Sequence, residues 1–303
     1  MIYTVTLNPS LDYYVQVNNF KIGFVNRVVG ERLAVGGKGI NVSLALRELE
    51  EDTLALGFVA GFTGIAIKDK MKSLGLNYNF FEVAGQSRIN VKIKGNTETD
   101  INGTGATVSV NDMNSLARKL KSMLKEGDWL VISGSVPKSL DELTYANLLK
   151  KLRTVKGVNV VIDAYGKLLT ETLKYHPFLI KPNLYELGEI FSLPPTPTME
   201  QIFVCAYKLQ DMGARNVIVS MGSSGAAMVT ETSQSLYVRA ARGQLVNSVG
   251  AGDSMIAGFI HEYGKSGNYF SALNYATAAG SACAFTKNLA TKEQIEYIES
   301  LML

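Results

Sequence analysis

The spacing of apolar and polar residues predicts that short buried strands alternate with helices along most of this chain. The predicted strands are near-continuous apolar runs, as is typical of strands covered on both faces, and they lie at Ile2–Leu7, Thr53–Val59, Trp129–Ser133, Asn159–Asp163, Phe178–Lys181 and Val217–Ser220. Helical spacing lies between them, at Ile40–Leu49, Ile65–Leu74, Asp112–Lys125, Leu140–Leu152, Leu168–Leu173 and Met199–Met212. Beyond Ser220 the pattern predicts a hairpin, Ala226–Thr230 with Ser235–Val238, and then helices almost to the end. The alternation predicts an α/β fold with a mostly parallel central sheet between helices.

Two regions break this alternation and predict a second, smaller sheet. Polar and apolar residues alternate with a period of two in Tyr13–Val17, Asn26–Val35, Arg88–Lys94 and Glu98–Ile101, with no helix between the members of each pair. Such strands have one exposed face. We expect one domain over residues 1–303, with a discontinuous β lid from about 12–35 and 86–104. The small sheet serves either as a lid over a ligand or as an oligomer contact.

Composition narrows the classes of partner. The chain has 303 residues, 47% of them hydrophobic, and its net charge of +3 comes from 30 basic and 27 acidic residues. Lys and Arg form no long block, so we expect no nucleic acid as a partner. No apolar run reaches the ~18 residues of a membrane span. The first residues lack the pattern of a secretion signal, so no membrane association and a cytoplasmic location are expected. The two cysteines fit neither a disulfide framework nor a metal site.

The stretch Asn247–Ser254 carries the most chemical information. Its sequence, NSVGAGDS, opens an apolar run of small residues that predicts a buried helix. Glycines at a helix start allow a ligand to approach the backbone, and the free N–H groups there favour an anion. Asp253 adds a candidate base in the same turn, which is what phosphoryl transfer to a hydroxyl needs. A simple helix cap explains the turn equally well at this point.

Two stretches near the front could hold a polar ligand. Thr6–Asp12 follows the first strand, where ligands bind in open parallel sheets, and the Asp12 carboxylate suits sugar hydroxyls; an ordinary strand-to-turn transition remains open. Gly36–Asn41, with the sequence GGKGIN, leads into the first long helix. It is not a P-loop, because that motif needs glycine where Arg32 stands and Ser or Thr where Gly39 stands. A helix cap is the alternative here as well.

Later motifs offer further candidates for phosphate and metal binding. Ser133–Pro137 ends a strand and places a hydroxyl and bare backbone at the mouth of the sheet, where an ordinary loop is the alternative. Lys181–Glu186, KPNLYE, follows another strand. Its amide and carboxylate, three residues apart, suit the water shell of Mg²⁺ or a capping box. The glycines of Ser220–Ala226 allow the backbone to wrap around a nucleotide or to form a hairpin loop.

Arginines in the predicted lid suit the phosphate of a substrate. Arg88 starts one lid segment and Arg27 lies in the other. A guanidinium group binds phosphate oxygens in pairs. A solvated surface position is the alternative for each.

The order of these motifs resembles that of the ribokinase-like (PfkB) carbohydrate kinases over essentially the full chain. Gly36–Asn41 and Asn247–Ser254 carry the resemblance, and Lys181–Asn183 with Glu186 and the later glycine loop lie between them in the family's order. The resemblance implies a three-layer α/β/α domain with a small β lid. Thr6–Asp12, the Arg88 segment and residues 98–103 look most like the phosphosugar branch, which holds bacterial 1-phosphofructokinases and tagatose-6-phosphate kinases.

The implied activity is ATP-dependent phosphorylation of fructose 1-phosphate at its 6-hydroxyl. Tagatose 6-phosphate and fructose 6-phosphate are alternative substrates, and a catalytically silent regulator that binds sugar or nucleotide is a more distant alternative. The implied partners are ATP, Mg²⁺, a phosphorylated ketohexose and a second copy of the chain, joined through the lid as a homodimer.

The resemblance also implies a role for each motif. Asp253 is the implied general base, and the amides of Gly250, Ala251 and Gly252 stabilise the transferring phosphoryl group. The implied sugar-phosphate contacts are Asp12, Gly37, Lys38, Asn41, Arg88 and Ser135, with Arg27 as a further candidate. The implied ATP contacts are Lys181, Asn183, Ser220, Gly222, Gly225 and Ser248, with the helix around Ala278–Cys283 beside the adenine. Asn183 and Glu186 organise Mg²⁺, through water, in this scheme.

Overall fold

The strands of this chain form two separate sheets. The computed structural model describes residues 1–95 and 98–302, so residues 96 and 97 of the predicted lid, and residue 303 of the predicted domain, lie outside the described residues. The larger sheet comprises β1 (Ile2–Thr6), β4 (Thr53–Val59), β5 (Tyr78–Glu82), β8 (Trp129–Ser133), β9 (Asn159–Asp163), β10 (Leu179–Ile180), β11 (Asn216–Ser220), β12 (Ala226–Val229) and β13 (Ser235–Val238). The smaller sheet comprises β2 (Ser10–Val17), β3 (Val28–Gly36), β6 (Arg88–Lys94) and β7 (Glu98–Asn102).

The larger sheet is parallel except at one edge. Its spatial order is β13-β12-β11-β10-β9-β8-β1-β4-β5; β12 pairs antiparallel with both β11 and β13, and the other neighbouring strands pair parallel. The chain leaves β1 towards β4 on one side and later returns to β8 on the other. The carboxyl ends of β1 and β8 therefore flank a topological switch point, where open α/β sheets bind ligands. This confirms the predicted α/β architecture and places its crevice.

Helices cover both faces of the larger sheet. They are α1 (Lys38–Glu48), α2 (Gly61–Ser73), α3 (Val110–Met123), α4 (Thr144–Leu152), α5 (Lys167–Thr170), α6 (Leu184–Phe191), α7 (Met199–Asp211), α8 (Ala251–Ser266), α9 (Tyr269–Ala284) and α10 (Lys292–Ser300). Successive strand residues alternate between two cores: Val131 packs with α1, α8 and α9, and Ile132 packs with α3 and α4. None of the helices in residues 1–95 and 98–302 is long and apolar enough to cross a membrane.

Several predicted elements differ from the structure. Helix α2 begins at Gly61 instead of Ile65, and the predicted helix Leu168–Leu173 is the short α5 followed by a 3-10 turn at Leu173–Tyr175. Strand β5 was not predicted, because it is a half-buried edge strand that pairs only with β4 and so lacks a continuous apolar run. Helix α4 begins at Thr144 instead of Leu140. The Asp141 side chain accepts the Leu143 amide and its carbonyl accepts the Thr144 amide, so the preceding residues form a turn.

The small sheet has one polar and one apolar face. Its order is β3-β2-β6-β7, with β2 and β6 parallel and the outer pairs antiparallel. Asp12 pairs with Asn90 on the polar face, whereas Tyr13 pairs with Leu33 and Val91 on the other. The apolar face packs against α2 near Leu11 but leaves the outer residues Leu33, Ile89 and Ile101 exposed.

Candidate active site

Polar side chains end four adjacent strands of the larger sheet. Thr6, Ser133, Asp163 and Lys181 lie at or just beyond the carboxyl ends of β1, β8, β9 and β10, and all are buried. They alternate with residues of the α3–α4 core, so their side chains point towards α1 and α8. Polar residues at this depth cost free energy unless they are paired or serve a ligand. The row marks the base of the crevice.

Asp163 joins two lysines at the centre of this row. Its Oδ1 lies 3.2 Å from the Nζ of Lys38 and 3.6 Å from the Nζ of Lys181. Its Oδ2 is buried and has no hydrogen-bond partner among the described residues. Burial lowers the pKa of Lys38, but the negative charges of Asp163, Asp253 and Glu186 outweigh burial and raise that pKa. Lys38 is therefore firmly protonated and held at the mouth of the sheet.

Helix α8 begins directly above this cluster. Its N-cap, Gly250, has a left-handed backbone (φ 85°), a conformation that side chains other than glycine rarely adopt. A Cβ at Gly252 would lie 3.0 Å from the Nζ of Lys181, so the missing side chain lets the lysine reach the first turn. The Ala251 amide makes a long bond of 3.4 Å to the Ser248 carbonyl. The helix start and Lys181 together form a positive environment for an anion.

Asp253 is buried in that first turn, beside the charge cluster. Its Oδ2 accepts a hydrogen bond of 2.8 Å from the Asn41 amide, which links α8 to α1. Burial and the negative charge of Asp163 raise the pKa of Asp253 to about 6, against the opposing effects of Lys38, Asn41 and Lys181. A carboxylate with a pKa near neutrality is suited to general base catalysis.

The small sheet contributes its polar face to the other side of the crevice. Asp12 is buried, and its Oδ1 accepts bonds from the Ser10 hydroxyl at 2.6 Å and the Asn90 amide at 2.8 Å. The Nε of Arg88 donates to the Asn8 carbonyl at 3.0 Å. Burial lowers the pKa of Arg88 despite the charge of Asp12. Arg88 and Asp12 thus occupy one half-buried polar surface.

The remaining predicted sugar-side residues lie at different distances from this centre. Gly37 is the N-cap of α1, next to Lys38. Ser135 follows Gly134, and a Cβ at Gly134 would lie 3.6 Å from the Cβ of Lys38. Arg27 is exposed before β3, and within residues 1–95 and 98–302 no hydrogen bond or ion pair connects it to the site. The structure therefore brings together every predicted sugar-side residue except Arg27.

A cavity of about 890 Å³ lies on the far side of the α8 start. The predicted nucleotide residues that line it are Asn183, Ser220, Gly222, Gly225 and Ser248, joined by Ala251 and Gly252. Gly280 and Ser281 of α9 also line it, within the helix predicted beside the adenine. Lys181 lies between this cavity and Asp163. The volume is ample for a nucleotide.

Asn183 and Glu186 form a capping box at the start of α6. Asn183 Oδ1 accepts the Glu186 amide at 2.9 Å, and Glu186 Oε2 accepts the Asn183 amide at 2.8 Å. The structural alternative for this motif is therefore present. Among the described residues, no hydrogen bond is made to the second Glu186 oxygen. The negative charge of Glu186 contributes to raising the pKa of Lys38.

Two site residues were not predicted from the sequence. Asp163 ends a strand that the pattern identified, and a carboxylate there, at the same sheet edge as Lys181, was an available indication. The role of Asn90 could not be seen in the sequence, because it depends on the register of β2 with β6, which places Asn90 opposite Asp12.

Known proteins resemble this chain along nearly its whole length. The family model for pfkB family carbohydrate kinases matches residues 8–295. A 1-phosphofructokinase of Bacillus subtilis is 42% identical over 298 residues, covering 98% of this chain and 97% of the relative. A D-tagatose-1-phosphate kinase of Bacillus licheniformis is 35% identical over 300 residues, covering 99% and 98%. Phosphofructokinase-2 of Escherichia coli in complex with fructose-6-phosphate has the same fold, with a TM-score of 0.91 at 24% identity over 99% of this chain and 98% of that one.

These matches confirm the resemblance seen in the motifs. They also agree with the ribokinase-like architecture of a large, mostly parallel sheet with a smaller separate sheet. Because the family model spans almost all of the sequence and the relatives align from end to end, this chain belongs to the pfkB family of carbohydrate kinases.

Proposed function

We propose that the protein transfers the γ-phosphoryl group of ATP to the 6-hydroxyl of fructose 1-phosphate, giving fructose 1,6-bisphosphate and ADP. The observation that carries this proposal is the buried Asp253, held by Asn41 at the start of α8 between a nucleotide-sized cavity and the polar face of the small sheet. The two relatives named above act, by their names, on 1-phosphorylated ketohexoses. The position of Asp253 favours phosphoryl transfer to a hydroxyl, and the names of the relatives favour a ketose 1-phosphate as the acceptor.

Asp253 acts as the general base in this scheme. Its carboxylate takes the proton of the 6-hydroxyl as the sugar oxygen bonds to the γ-phosphorus. The bond from that phosphorus to the bridging oxygen breaks, and ADP leaves with the electron pair. The raised pKa of Asp253, about 6, leaves it deprotonated near neutral pH but basic enough to accept the proton.

The start of α8 and two lysines stabilise the charge on the transferring group. The amides of Gly250, Ala251 and Gly252 face an anion at the helix N-terminus, where the dipole favours negative charge. Lys181 lies against Gly252, and Lys38 is fixed by Asp163. Because these groups are held before the substrates bind, little reorganisation is needed during the reaction.

The sugar phosphate lies along the small sheet in this proposal. Asp12, oriented by Ser10 and Asn90, accepts bonds from sugar hydroxyls. Arg88 holds the existing phosphate, with Ser135 as a second donor and Arg27 as an outer candidate. The small sheet then acts as the lid, and the nucleotide occupies the cavity lined by Ser220, Gly222, Gly225, Asn183 and Ser248.

Oxygen donors that suit Mg²⁺ are present near Asn183, which lines the nucleotide cavity, and at Glu186, its partner in the capping box. Asp163 has a buried oxygen without a partner among the described residues, and Glu186 keeps one oxygen outside its capping box. Oxygen donors of this kind suit a hard cation that retains several waters. When bound, Mg²⁺ neutralises charge on the phosphate oxygens. We propose that Asn183 and Glu186 hold it through water, with Asp163 as a third donor.

We also propose that two copies join through the small sheet. One row across the apolar face consists of Leu33, Tyr13, Val91 and Ile101. Leu33 is 52% exposed and Ile101 is 57% exposed. The preceding segment adds Ile22 and Val25, both more than four-fifths exposed. Exposed apolar surface of this kind favours a protein contact.

A coupled ADP-release assay with a panel of sugars tests the proposed reaction. The panel contains fructose 1-phosphate, tagatose 1-phosphate, tagatose 6-phosphate, fructose 6-phosphate and free fructose. We expect the highest kcat/KM with fructose 1-phosphate. A higher value for another phosphosugar would transfer the assignment to that alternative substrate. No ADP release above the sugar-free rate with any of them would instead support the catalytically silent regulator.

A further inference from the structure

A second cavity lies beside the catalytic turn and shares Asn41 and Gly250 with the proposed active site, but the rest of its lining has no role in the proposed reaction. Its volume is about 610 Å³, and its walls come from β3, α1, α2 and the loop after α9. Val249 and Gly250 line it, whereas Ser248, Ala251 and Gly252 line the nucleotide cavity. One short turn thus contributes to both. The residues proposed to bind the sugar phosphate and ATP phosphates, Arg88 and Lys181, are not in its walls.

The walls of this cavity carry an excess of positive charge. Arg32, Arg47, Lys70 and Lys287 line it, against the single carboxylate of Glu48. Arg47 donates to Glu48 and to the Leu74 carbonyl, so that carboxylate is already neutralised.

Three cations remain available to a ligand. No carboxylate within the described ranges lies within 4 Å of the charged groups of Arg32, Lys70 or Lys287. The Arg32 guanidinium lies over the Tyr14 ring, 3.8 Å from its centre, and this contact orients the group.

We propose that this cavity binds a small molecule with at least two negative charges, such as a metabolite that carries phosphate groups. Converging cations in a concave site attract such anions, and guanidinium and ammonium groups bind phosphate oxygens directly. Leu44, Leu74 and Leu289 add apolar wall for the body of the molecule. Among the described lining residues, Glu48 is the one carboxylate, and its contact with Arg47 leaves the other cations to face the ligand.

The position of the cavity connects it to the catalytic centre. Asn41, which donates to Asp253, forms part of its wall. Arg32 belongs to β3 of the small sheet, and Lys70 belongs to α2, one of the helices that cover the larger sheet. A bound anion would hold these elements together beside the catalytic turn. The site is therefore placed to act as a regulatory site.

Pyrophosphate binding to the full chain tests this proposal. Calorimetric titration is made without Mg²⁺, with saturating ADP and fructose 1-phosphate occupying the proposed active site. We expect Lys70→Gln with Lys287→Gln to weaken pyrophosphate binding about tenfold or more, because charged hydrogen bonds to its phosphate oxygens are lost. The control is Lys72→Gln with Lys125→Gln, which removes the same charge from exposed positions outside the cavity.

The result separates this site from the catalytic one. Thermal unfolding of both double variants checks that each is folded. Equal pyrophosphate affinity in the cavity variant and the control would overturn the proposal, as would absence of binding to the unaltered chain. Because the measurement does not depend on turnover, it stands or fails separately from the proposed kinase reaction.

Discussion

Two regions of this protein reverse the usual distribution of side chains. At the carboxyl edge of the larger sheet, Asp163, Lys181 and Asp253 are charged and buried. On the apolar face of the small sheet, Leu33 and Ile101 are apolar and exposed. Elsewhere in the larger sheet, successive side chains pack alternately into two apolar cores, as expected for a stable α/β domain.

The buried charged residues and the exposed apolar residues suit different kinds of partner. The buried charges are fixed by short contacts between α1, α8 and the strand ends, so they suit a small ligand that needs groups already in position. The exposed apolar row has no such constraints and suits a broad contact with another protein surface. Variants of each region test whether this distinction holds.

The largest effect is expected from Asp253→Asn. The amide cannot accept the hydroxyl proton, and general base catalysis contributes ~10²–10⁴-fold. We expect kcat to fall by about that factor while ATP affinity stays similar, because the nucleotide cavity is lined by other residues. Near-normal turnover would remove Asp253 from the role of base. Asp211→Asn, on the exposed surface of α7, is the matched control.

Asp163→Asn should lower stability as well as turnover. Removing one partner of a buried ion pair leaves charge uncompensated and costs about 3–5 kcal/mol. We expect the lower end of that range, because the Lys38 side chain is 39% exposed and water screens part of its charge. Chemical denaturation measures the free energy of unfolding. An unchanged value would mean that Lys38 and Lys181 do not depend on this carboxylate.

Arg88→Ala tests the polar face of the small sheet. Losing charged hydrogen bonds worth about 1.5–3 kcal/mol should raise the KM for the sugar phosphate roughly 10- to 100-fold with a smaller change in kcat. The control is Arg118→Ala, at an exposed position of α3. If the KM is unchanged, Arg88 holds the Asn8 loop instead of the substrate.

The pH dependence of turnover tests the environment of Asp253. Its pKa is raised to about 6 and the base must be deprotonated, so kcat should fall about tenfold per pH unit below pH 6. Lys38 lowers the pKa of Asp253, so Lys38→Gln should move the midpoint to higher pH. An unmoved midpoint would assign the titration to a group other than Asp253.

The smallest effect is expected on the apolar face. Ile101→Ser should weaken self-association, measured by sedimentation, and leave the unfolding of the monomer nearly unchanged because Ile101 is 57% exposed. Val110→Ser, at a 71% exposed site on α3, should change neither. A monomeric unaltered chain would exclude this face as a dimer contact.

The sequence alone was sufficient for the parts of the molecule that depend on local pattern. Apolar runs located the strands of the larger sheet except β5, and the glycine turn before Asp253 marked the start of α8, where we propose the base. The carboxylate of Asp163 at a strand end was visible in the sequence, but its pairing with Lys38 and Lys181 was not, because the pairing arises where three separate strand and helix ends meet. The exposed position of Arg27, away from the site, likewise depends on the path of the segment before β3. Motifs therefore indicated the chemistry, whereas charge pairing required the tertiary structure.

The bond between Asn41 and Asp253 also has a consequence for how the protein is made. Its two residues are 212 positions apart in sequence. At a synthesis rate of about 5–20 residues per second, about 10–40 s pass between the appearance of the first and the second. During that interval the growing chain carries the sugar-side residues without the catalytic turn. The proposed active centre is thus completed only after Asp253 has been synthesised, and its assembly belongs to the slow, non-local stage of folding.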